Sequence, residues 1–268
     1  MPFARANGID LYYELAGAGE RLLFISGTGA DLRRSPRLTD GTQFAAFELL
    51  QYDQRGLGRS VVPAGPYTMA DYADDAAGLL DAMAWDACLV LGVSFGGMVA
   101  QELALRHPER VRRLVLACTS AGGEGGASYP LHELVGLDVQ AAADKRLQLL
   151  DTRWDAAWRA DNPEMVAIFT EGFQLGGPDD GLGEGPLLQL EARRHHDTSA
   201  RLEQIGCPTL VCAGRYDGLA PPANSEFLAT KIPGAELVLF DGGHIFFMQD
   251  PAAMPTMLDF LGAPPDPV

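Results

Sequence analysis

The sequence has few basic residues for its length: 20 lysines and arginines stand against 36 aspartates and glutamates, and the formal net charge is −16. Binding to nucleic acid or to an anionic membrane surface needs a basic face, so this balance argues against both partners. No apolar run reaches the roughly 20 residues that a membrane-spanning helix requires. The N-terminus also lacks the charged and then apolar pattern of a signal peptide. We therefore expect a cytoplasmic protein.

Cysteine and histidine are also scarce, with four and five residues respectively. The cysteines lie in or beside apolar segments, and Cys207 and Cys212 lack the close C-x-x-C spacing of zinc and redox sites. We expect free, buried thiols. His195 and His196 are adjacent, and on a helix they would point about 100° apart, which suits joint metal binding poorly. The sequence therefore predicts no metal site.

Strand and helix patterns alternate over most of the chain. Residues 3–15 are typical of two strands around an Asn7-Gly8 turn, and the nearly continuous apolar run at 87–93 is typical of a parallel sheet covered on both faces. Further strands are expected at 21–26, 47–52, 111–118, 208–214 and 235–240. The alternation breaks between about 121 and 202, where glycine-rich and helical segments occur.

This pattern predicts an α/β fold with a mostly parallel, eight-stranded sheet and helices on both faces. The first part of the core is expected over residues 1–120 and the second over 203–268. Residues 121–202 are expected to form a mainly helical cap between them. Ligands of such sheets bind at the carboxyl ends of the strands, where the cap would lie.

Residues 89–98 form the most informative stretch. An apolar strand pattern ends in the Gly-x-Ser-x-Gly motif at 92–96, and a helical pattern begins at once. Small residues allow the chain to turn sharply from strand to helix, and a hydroxyl at the apex of that turn is exposed. The pattern is typical of a nucleophile elbow and predicts that Ser94 is a nucleophile.

A serine nucleophile needs a base, and the base needs an acid that fixes its tautomer. His244 directly follows the last predicted strand, which places it at the same sheet edge as the serine. Asp217 follows the strand that ends near residue 213 and lies between nucleophile and base in chain order. Asp241 and Asp250 are the alternatives, although Asp241 is better interpreted as a turn residue before two glycines.

Taken together, these features resemble the α/β-hydrolases of the lidded esterase and lactonase type. The match lies in the elbow at 92–97, the segment 53–60, the run 208–221 around Asp217, and Gly243-His244. Within this family the chain is similar to 3-oxoadipate enol-lactonases. The resemblance implies the α/β-hydrolase fold and a triad of Ser94, His244 and Asp217 that needs no cofactor. The segment 53–60 is interpreted as a tight structural turn.

An oxyanion hole is expected beside the nucleophile. The backbone N–H of Phe95 would stand at a helix N-terminus and point at the developing negative charge. The resemblance places the second donor at the backbone N–H of Thr28, in the loop at residues 26–37, here called the oxyanion loop. Relatives usually have His-Gly before this residue, whereas this chain has Ser26-Gly27. The change removes no donor but alters how the loop packs.

Two further sets of residues are candidates for substrate binding. Arg33 and Arg34 follow the oxyanion loop's start in an otherwise acidic chain. They form either a solvated basic turn or a site for a substrate carboxylate, which arginine binds bidentately. Trp154 and Trp158 are four residues apart on a predicted helix and so share a face. They form either the core of the cap or an apolar lid over the substrate.

The sequence thus predicts a serine hydrolase that cleaves a small carboxylic ester or lactone through an acyl-enzyme. Three alternatives use the same triad residues: a carbon–carbon bond hydrolase, a cofactor-free perhydrolase, and a hydrolase-like ligand receptor with slow or no turnover. Serine at the elbow argues against the haloalkane dehalogenase and epoxide hydrolase branches, which have aspartate there. The sequence predicts neither the individual substrate nor the oligomeric state.

Overall fold

Eight strands form one sheet in a computed structural model that describes residues 2–134, 137–172 and 183–263. Their order across the sheet is β1-β2-β4-β3-β5-β6-β7-β8. The pairs β1–β2 and β2–β4 are antiparallel and all other neighbours are parallel. The strands are β1 (Phe3–Ala6), β2 (Ile9–Ala16), β3 (Glu20–Ile25), β4 (Phe47–Tyr52), β5 (Cys88–Val93), β6 (Val111–Ala117), β7 (Thr209–Gly214) and β8 (Glu236–Phe240).

The described α-helices both cover this sheet and form the insertion between β6 and β7. None of the helices in the described ranges is long and apolar enough to cross a membrane. They are α1 (Met69–Ala82), α2 (Phe95–Arg106), α3 (Val139–Leu150), α4 (Ala156–Asp161), α5 (Pro163–Gly172), α6 (Gly185–Arg194), α7 (Pro222–Lys231), α8 (Phe246–Gln249) and α9 (Ala253–Gly262).

Helix α1 begins directly after Thr68, which with Asp71 three residues later gives the capping-box pattern in the sequence. The Thr68 side chain accepts a hydrogen bond from the backbone N–H of Asp71, and the Asp71 carboxylate accepts one from the backbone N–H of Thr68. This reciprocal capping box satisfies two N–H groups that the first turn would leave without acceptors. The helix then buries the apolar face that carries Tyr72 against the sheet.

Strand β5 shows why its sequence is apolar throughout. Alternate side chains of a strand point to opposite faces, and here Val90 packs into the core layer with α1 and α2, whereas Leu89 and Leu91 pack into the layer with α9. Both faces are therefore dry, and every residue of the strand is buried. The predicted α/β-hydrolase architecture, with its mostly parallel sheet and helical insertion, is confirmed.

The insertion differs in detail from the sequence prediction. The sequence pattern at 134–150 predicts one helix, whereas α3 begins at Val139, after a short 3-10 turn at Leu131–Leu134. The chain also leaves the helical conformation at 151–155, so Trp154 precedes α4 instead of lying within it. Asp155 starts α4 because its side chain accepts a hydrogen bond from the backbone N–H of Trp158. The sequence carries this capping signal, which the helical periodicity concealed.

Candidate active site

Ser94 occupies the single position between the end of β5 and the start of α2. Its backbone has φ 55° and ψ −115°, a strained conformation for a residue with a side chain. The turn is this tight because α2 packs closely on two strands: a Cβ on Gly92 in β5 would lie 2.5 Å from the carbonyl oxygen of Gly96, and a Cβ on Gly96 would lie 2.0 Å from that of Ile25 at the end of β3. The elbow therefore holds the hydroxyl of Ser94 out of the sheet in a fixed direction.

His244 and Asp217 lie next to this serine. His244 Nε2 is 3.0 Å from Ser94 Oγ, and His244 Nδ1 is 2.8 Å from Asp217 Oδ2. Both the histidine and the aspartate are buried. Because a carboxylate can only accept a hydrogen bond, Nδ1 carries the ring proton and Nε2 presents its lone pair to the serine hydroxyl.

The loops that carry these two residues are fixed by backbone hydrogen bonds. Asp217 Oδ1 accepts from the N–H groups of Leu219, at 2.8 Å, and Ala220, at 2.7 Å. The backbone N–H of His244 donates to the carbonyl oxygen of Leu150, at 2.6 Å, at the end of α3. Asp217 is thus oriented by its own loop, and His244 is anchored to the insertion.

The alternative acids lie elsewhere. The Asp241 side chain is 72% exposed and pairs with Arg153 at 3.1 Å. Asp250 accepts hydrogen bonds from the backbone N–H groups of Asp241 and Ala252. In the described part of the chain neither carboxylate bonds to His244, so the structure brings Asp217 to the histidine, as the chain order of the residues predicts.

The expected oxyanion donors flank the nucleophile. Phe95 is the first residue of α2, so its N–H has no acceptor within the helix. Gly27 and Thr28 line the same cavity as Ser94, and a Cβ on Gly27 would lie 3.6 Å from that of the serine. The oxyanion loop therefore passes directly beside the elbow.

Side chains from two other segments hold the oxyanion loop. The Gln54 amide donates to the carbonyl oxygen of Ser26, at 2.8 Å, and the backbone N–H of Gly29 donates to Gln189 Oε1, at 2.8 Å. Asp53 accepts a hydrogen bond from the backbone N–H of Leu32 within the same loop. The turn at 53–60 and helix α6 thus provide the contacts that position this loop.

A cavity of about 170 Å³ opens beside Ser94 and His244. Pockets for drug-sized ligands are usually about 300–1,000 Å³, so this cavity fits a small substrate. Its walls are mainly apolar and come from the oxyanion loop, β5, α3 and the loops that carry the acid and the base. The lining residues are Gly27, Thr28, Val93, Ser94, Leu131, Arg146, Leu149, Leu150, Leu219, His244, Ile245 and Phe247.

Arg146 is the one permanently charged side chain among the described residues that line the cavity. Burial lowers the pKa of its guanidinium, which nevertheless remains protonated at neutral pH. No motif in the sequence singles out this residue. The spacing of the sequence does place it near the cavity, because Arg146 lies three residues before Leu149 and four before Leu150, and on a helix these positions share a face.

The arginines singled out from the sequence do not line this cavity. Arg33 and Arg34 are exposed, and Arg33 forms an ion pair with Asp31 at 2.5 Å. Its guanidinium makes several hydrogen bonds to that carboxylate, so its charge is already balanced within the loop. Both side chains are thus exposed to solvent in the structure, as expected for a solvated basic turn.

The two tryptophans lie behind the cavity wall. Trp154 is buried, stacks on Trp158 with ring centroids 4.7 Å apart, and contacts Phe169. The cluster packs against Leu150 and Ile245, which do line the cavity. Neither tryptophan reaches the lining, so they form the core of the cap and support the wall from behind.

Over residues 20–251 the chain matches the model of the family described as alpha/beta hydrolase fold. It is 30% identical to 3-oxoadipate enol-lactonase 2 of Acinetobacter baylyi, over 92% of this chain and 91% of that protein. It is 32% identical to a protein of Azorhizobium caulinodans assigned as carbamate hydrolase RutD, over 96% of this chain and 97% of that protein. The crystal structure of the enol-lactonase from Burkholderia xenovorans aligns with a TM-score of 0.78 at 28% identity, covering 97% of this chain and 99% of that one.

The sheet topology and the arrangement of Ser94, His244 and Asp217 are those of a hydrolase, and the family model matches most of the chain. The chain belongs to the α/β hydrolase fold family. Its relatives include enol-lactonases, as the sequence resemblance predicts.

Proposed function

We propose that this hydrolase cleaves a small carboxylic ester or lactone with Ser94 as nucleophile. The observation that carries the proposal is the continuous chain of hydrogen bonds from Asp217 through His244 to Ser94, with distances of 2.8 and 3.0 Å, at the wall of a small cavity. The name of the 3-oxoadipate enol-lactonase relative gives independent support for a lactone substrate.

The reaction begins when Ser94 Oγ bonds to the carbonyl carbon while His244 Nε2 takes the hydroxyl proton. The carbonyl π electrons move to the oxygen, and the N–H groups of Phe95 and Thr28 stabilise that oxyanion. Collapse of the intermediate expels the alkoxide, which takes the proton from His244. Water then attacks the acyl-enzyme by the same sequence and releases the acid.

Asp217 supports both half-reactions through His244. Its carboxylate stabilises the imidazolium that forms in each step and keeps the remaining proton on Nδ1. Burial strengthens this interaction because the local dielectric is low, and the acid and the base are 3% and 7% exposed. Bulk water is therefore largely excluded from Asp217 and His244 and does not compete with the histidine for the proton of Ser94.

Arg146 is the basis for a proposed preference for substrates with a negatively charged acyl group. Its cationic side chain lines an otherwise apolar cavity that also contains Ser94, and a guanidinium binds carboxylates with paired hydrogen bonds. The preferred acyl group therefore carries a carboxylate. In this proposal Arg146 takes the role that the sequence analysis gave to Arg33 and Arg34.

A substrate panel tests the proposed activity. It contains p-nitrophenyl esters of short acids, small lactones, a carbamate and a vinylogous diketo acid, each assayed with wild type and Ser94→Ala. Turnover of esters and lactones that disappears in Ser94→Ala supports the proposal. Preferred cleavage of the diketo acid would favour a carbon–carbon hydrolase, peroxide-dependent halogenation in acetate buffer would favour a perhydrolase, and binding without turnover would favour a receptor.

A further inference from the structure

Arg193 is a buried cation near the end of α6. Only 7% of its surface is exposed, and its Nη1 donates to the carbonyl oxygen of Tyr129 at 2.9 Å. Its Nε and Nη2 are buried as well and have no hydrogen-bond partner among the residues that the structure describes. A carbonyl oxygen is a neutral acceptor, so the bond to Tyr129 leaves the positive charge unbalanced. Buried arginines are otherwise paired with carboxylates, because removing a charge from water is costly.

Arg193 remains a cation despite its burial. Burial lowers the pKa of its guanidinium to about 10 and is the only cause of the shift. At neutral pH the protonated form still dominates by roughly a thousandfold. A nearby carboxylate would have raised this pKa, and no ion pair of Arg193 occurs within the described ranges 2–134, 137–172 and 183–263.

Gln189 adds a further donor on the same face of α6, four residues before Arg193. Its side chain is fully buried. Gln189 Oε1 accepts a hydrogen bond from the backbone N–H of Gly29, and this bond fixes Nε2 as the free end of the amide. Gln189 Nε2 is also buried, and no described residue accepts a hydrogen bond from it. Within the described part of the chain, three buried nitrogens with N–H groups thus lack acceptors, and none of them can accept a hydrogen bond itself.

We propose that Arg193 and Gln189 form a buried site for a small monovalent anion, a halide or a carboxylate, where the cap meets the oxyanion loop. Water could satisfy the free N–H groups, but only an anion also balances the guanidinium charge. The net charge of the chain is −16, so the site depends on these local donors and not on a positive surface. It involves neither the nucleophile nor the base and does not depend on the proposed function.

The position of the site predicts its effect. Gly29, held by Gln189, directly follows Thr28, whose backbone N–H is the proposed oxyanion donor. On the other side, the backbone N–H of Tyr129 donates to the carbonyl oxygen of Leu219, at 2.7 Å, in the loop of the catalytic acid. A bound anion fixes Arg193 and Gln189 between these segments. Anion binding should therefore stabilise the fold and improve the alignment of the oxyanion hole.

The test compares the wild type with Arg193→Met and with Arg194→Gln as the matched control. Arg194 is the next residue of α6, but its side chain is 57% exposed and pairs loosely with Glu191. Melting temperature and ester hydrolysis are measured in bromide, chloride or gluconate at constant ionic strength. We expect halide to raise the melting temperature of wild type and Arg194→Gln by about 2–6 °C with saturation, and to raise kcat/KM severalfold.

Arg193→Met should show neither response. In gluconate it should be at least as stable as wild type, because the substitution removes an unbalanced buried charge. Equal halide responses in wild type and Arg193→Met would overturn the proposal. Crystals of the wild type soaked in bromide provide a second measurement that needs no variant. An anomalous peak between Arg193 and Gln189 supports the site, whereas only water at that position overturns it.

Two further arms distinguish the source of the anion. They use Ser94→Ala, so that their outcome is independent of ester hydrolysis. If acetate or butyrate raises its melting temperature and displaces bromide, the site accepts carboxylates. If only halides act, the occupant is an inorganic ion. Absence of any saturable anion effect in Ser94→Ala would overturn the proposal even if the proposed ester hydrolysis were established.

Discussion

Asp217→Asn tests the proposed mechanism most sharply, because the structure determines how an amide must sit at this position. Asp217 Oδ1 accepts two hydrogen bonds, from the backbone N–H groups of Leu219 and Ala220. An asparagine must place its amide oxygen there, since an NH₂ group cannot accept these bonds. Its NH₂ group then faces His244 Nδ1, 2.8 Å away in the native arrangement, and donates a hydrogen bond to it.

This reversal forces the imidazole proton onto Nε2. The histidine then presents an N–H, and not a lone pair, to Ser94 Oγ, and it can no longer take the serine proton. The equivalent change in serine proteases of unrelated fold costs about 10⁴-fold in kcat. We expect a loss of about 10³- to 10⁴-fold here, equivalent to roughly 4–5 kcal/mol of transition-state stabilisation. KM should change little, because Asp217 does not line the cavity.

The assay is hydrolysis of a short p-nitrophenyl ester by Asp217→Asn, with Asp241→Asn as the control. Asp241 is closer to the base in the sequence than Asp217 is, but its side chain is 72% exposed and faces Arg153. We expect Asp241→Asn to remain within about twofold of wild type, as exposed ion pairs contribute little. If Asp217→Asn kept activity within tenfold of wild type while circular dichroism showed a native fold, the assignment of the acid would be refuted.

Three other substitutions have expected outcomes. Ser94→Ala should lower kcat by at least about 10³-fold while the protein still binds product, and turnover at the wild-type rate would exclude the acyl-enzyme. Arg146→Gln should lower the ratio of kcat/KM for a p-nitrophenyl glutarate half-ester to kcat/KM for the pentanoate ester by about 10- to 100-fold. The control, Lys145→Gln, changes a neighbouring residue outside the cavity lining and should leave this ratio unchanged. An unchanged ratio in Arg146→Gln would refute the carboxylate proposal. Arg55→Met should lower the melting temperature by roughly 10 °C. It removes the ion-pair partner of the buried Asp75 carboxylate, bonded at 2.7 Å, and leaves that charge with the neutral amide of Asn7. A shift below about 2 °C would contradict that account.

The sequence predicted the fold where its signals are local. The alternation of strands and helices, the capping of α1 and the tight turn at Ser94 all depend on neighbouring residues, and all are present in the structure. Asp217 and His244 could be placed because both follow strands that end at the same sheet edge. That inference needs only the parallel arrangement of β7 and β8.

The walls of the cavity could not be predicted in the same way. Whether an arginine faces the nucleophile depends on how the cap folds over the core, and cap packing leaves no short-range pattern. Arg33 was a candidate because it lies in the oxyanion loop, yet Asp31, two residues away, neutralises its charge. Arg146 lies 52 residues after Ser94, in a different part of the fold, and lines the same cavity. Closeness in the sequence to the oxyanion donor therefore pointed wrongly to Arg33, and it gave no indication of Arg146.

The serine that replaces the usual histidine in the oxyanion loop does not leave the loop without support. The carbonyl oxygen of Ser26 accepts a hydrogen bond from Gln54, and Asp53 bonds to the backbone N–H of Leu32. From the opposite side, Gln189 holds Gly29. Because these bonds join backbone groups of the loop to side chains outside it, the loop's position depends on the turn at 53–60 and on α6. Substitutions in those segments should therefore alter the oxyanion hole more than a change of the Ser26 hydroxyl would.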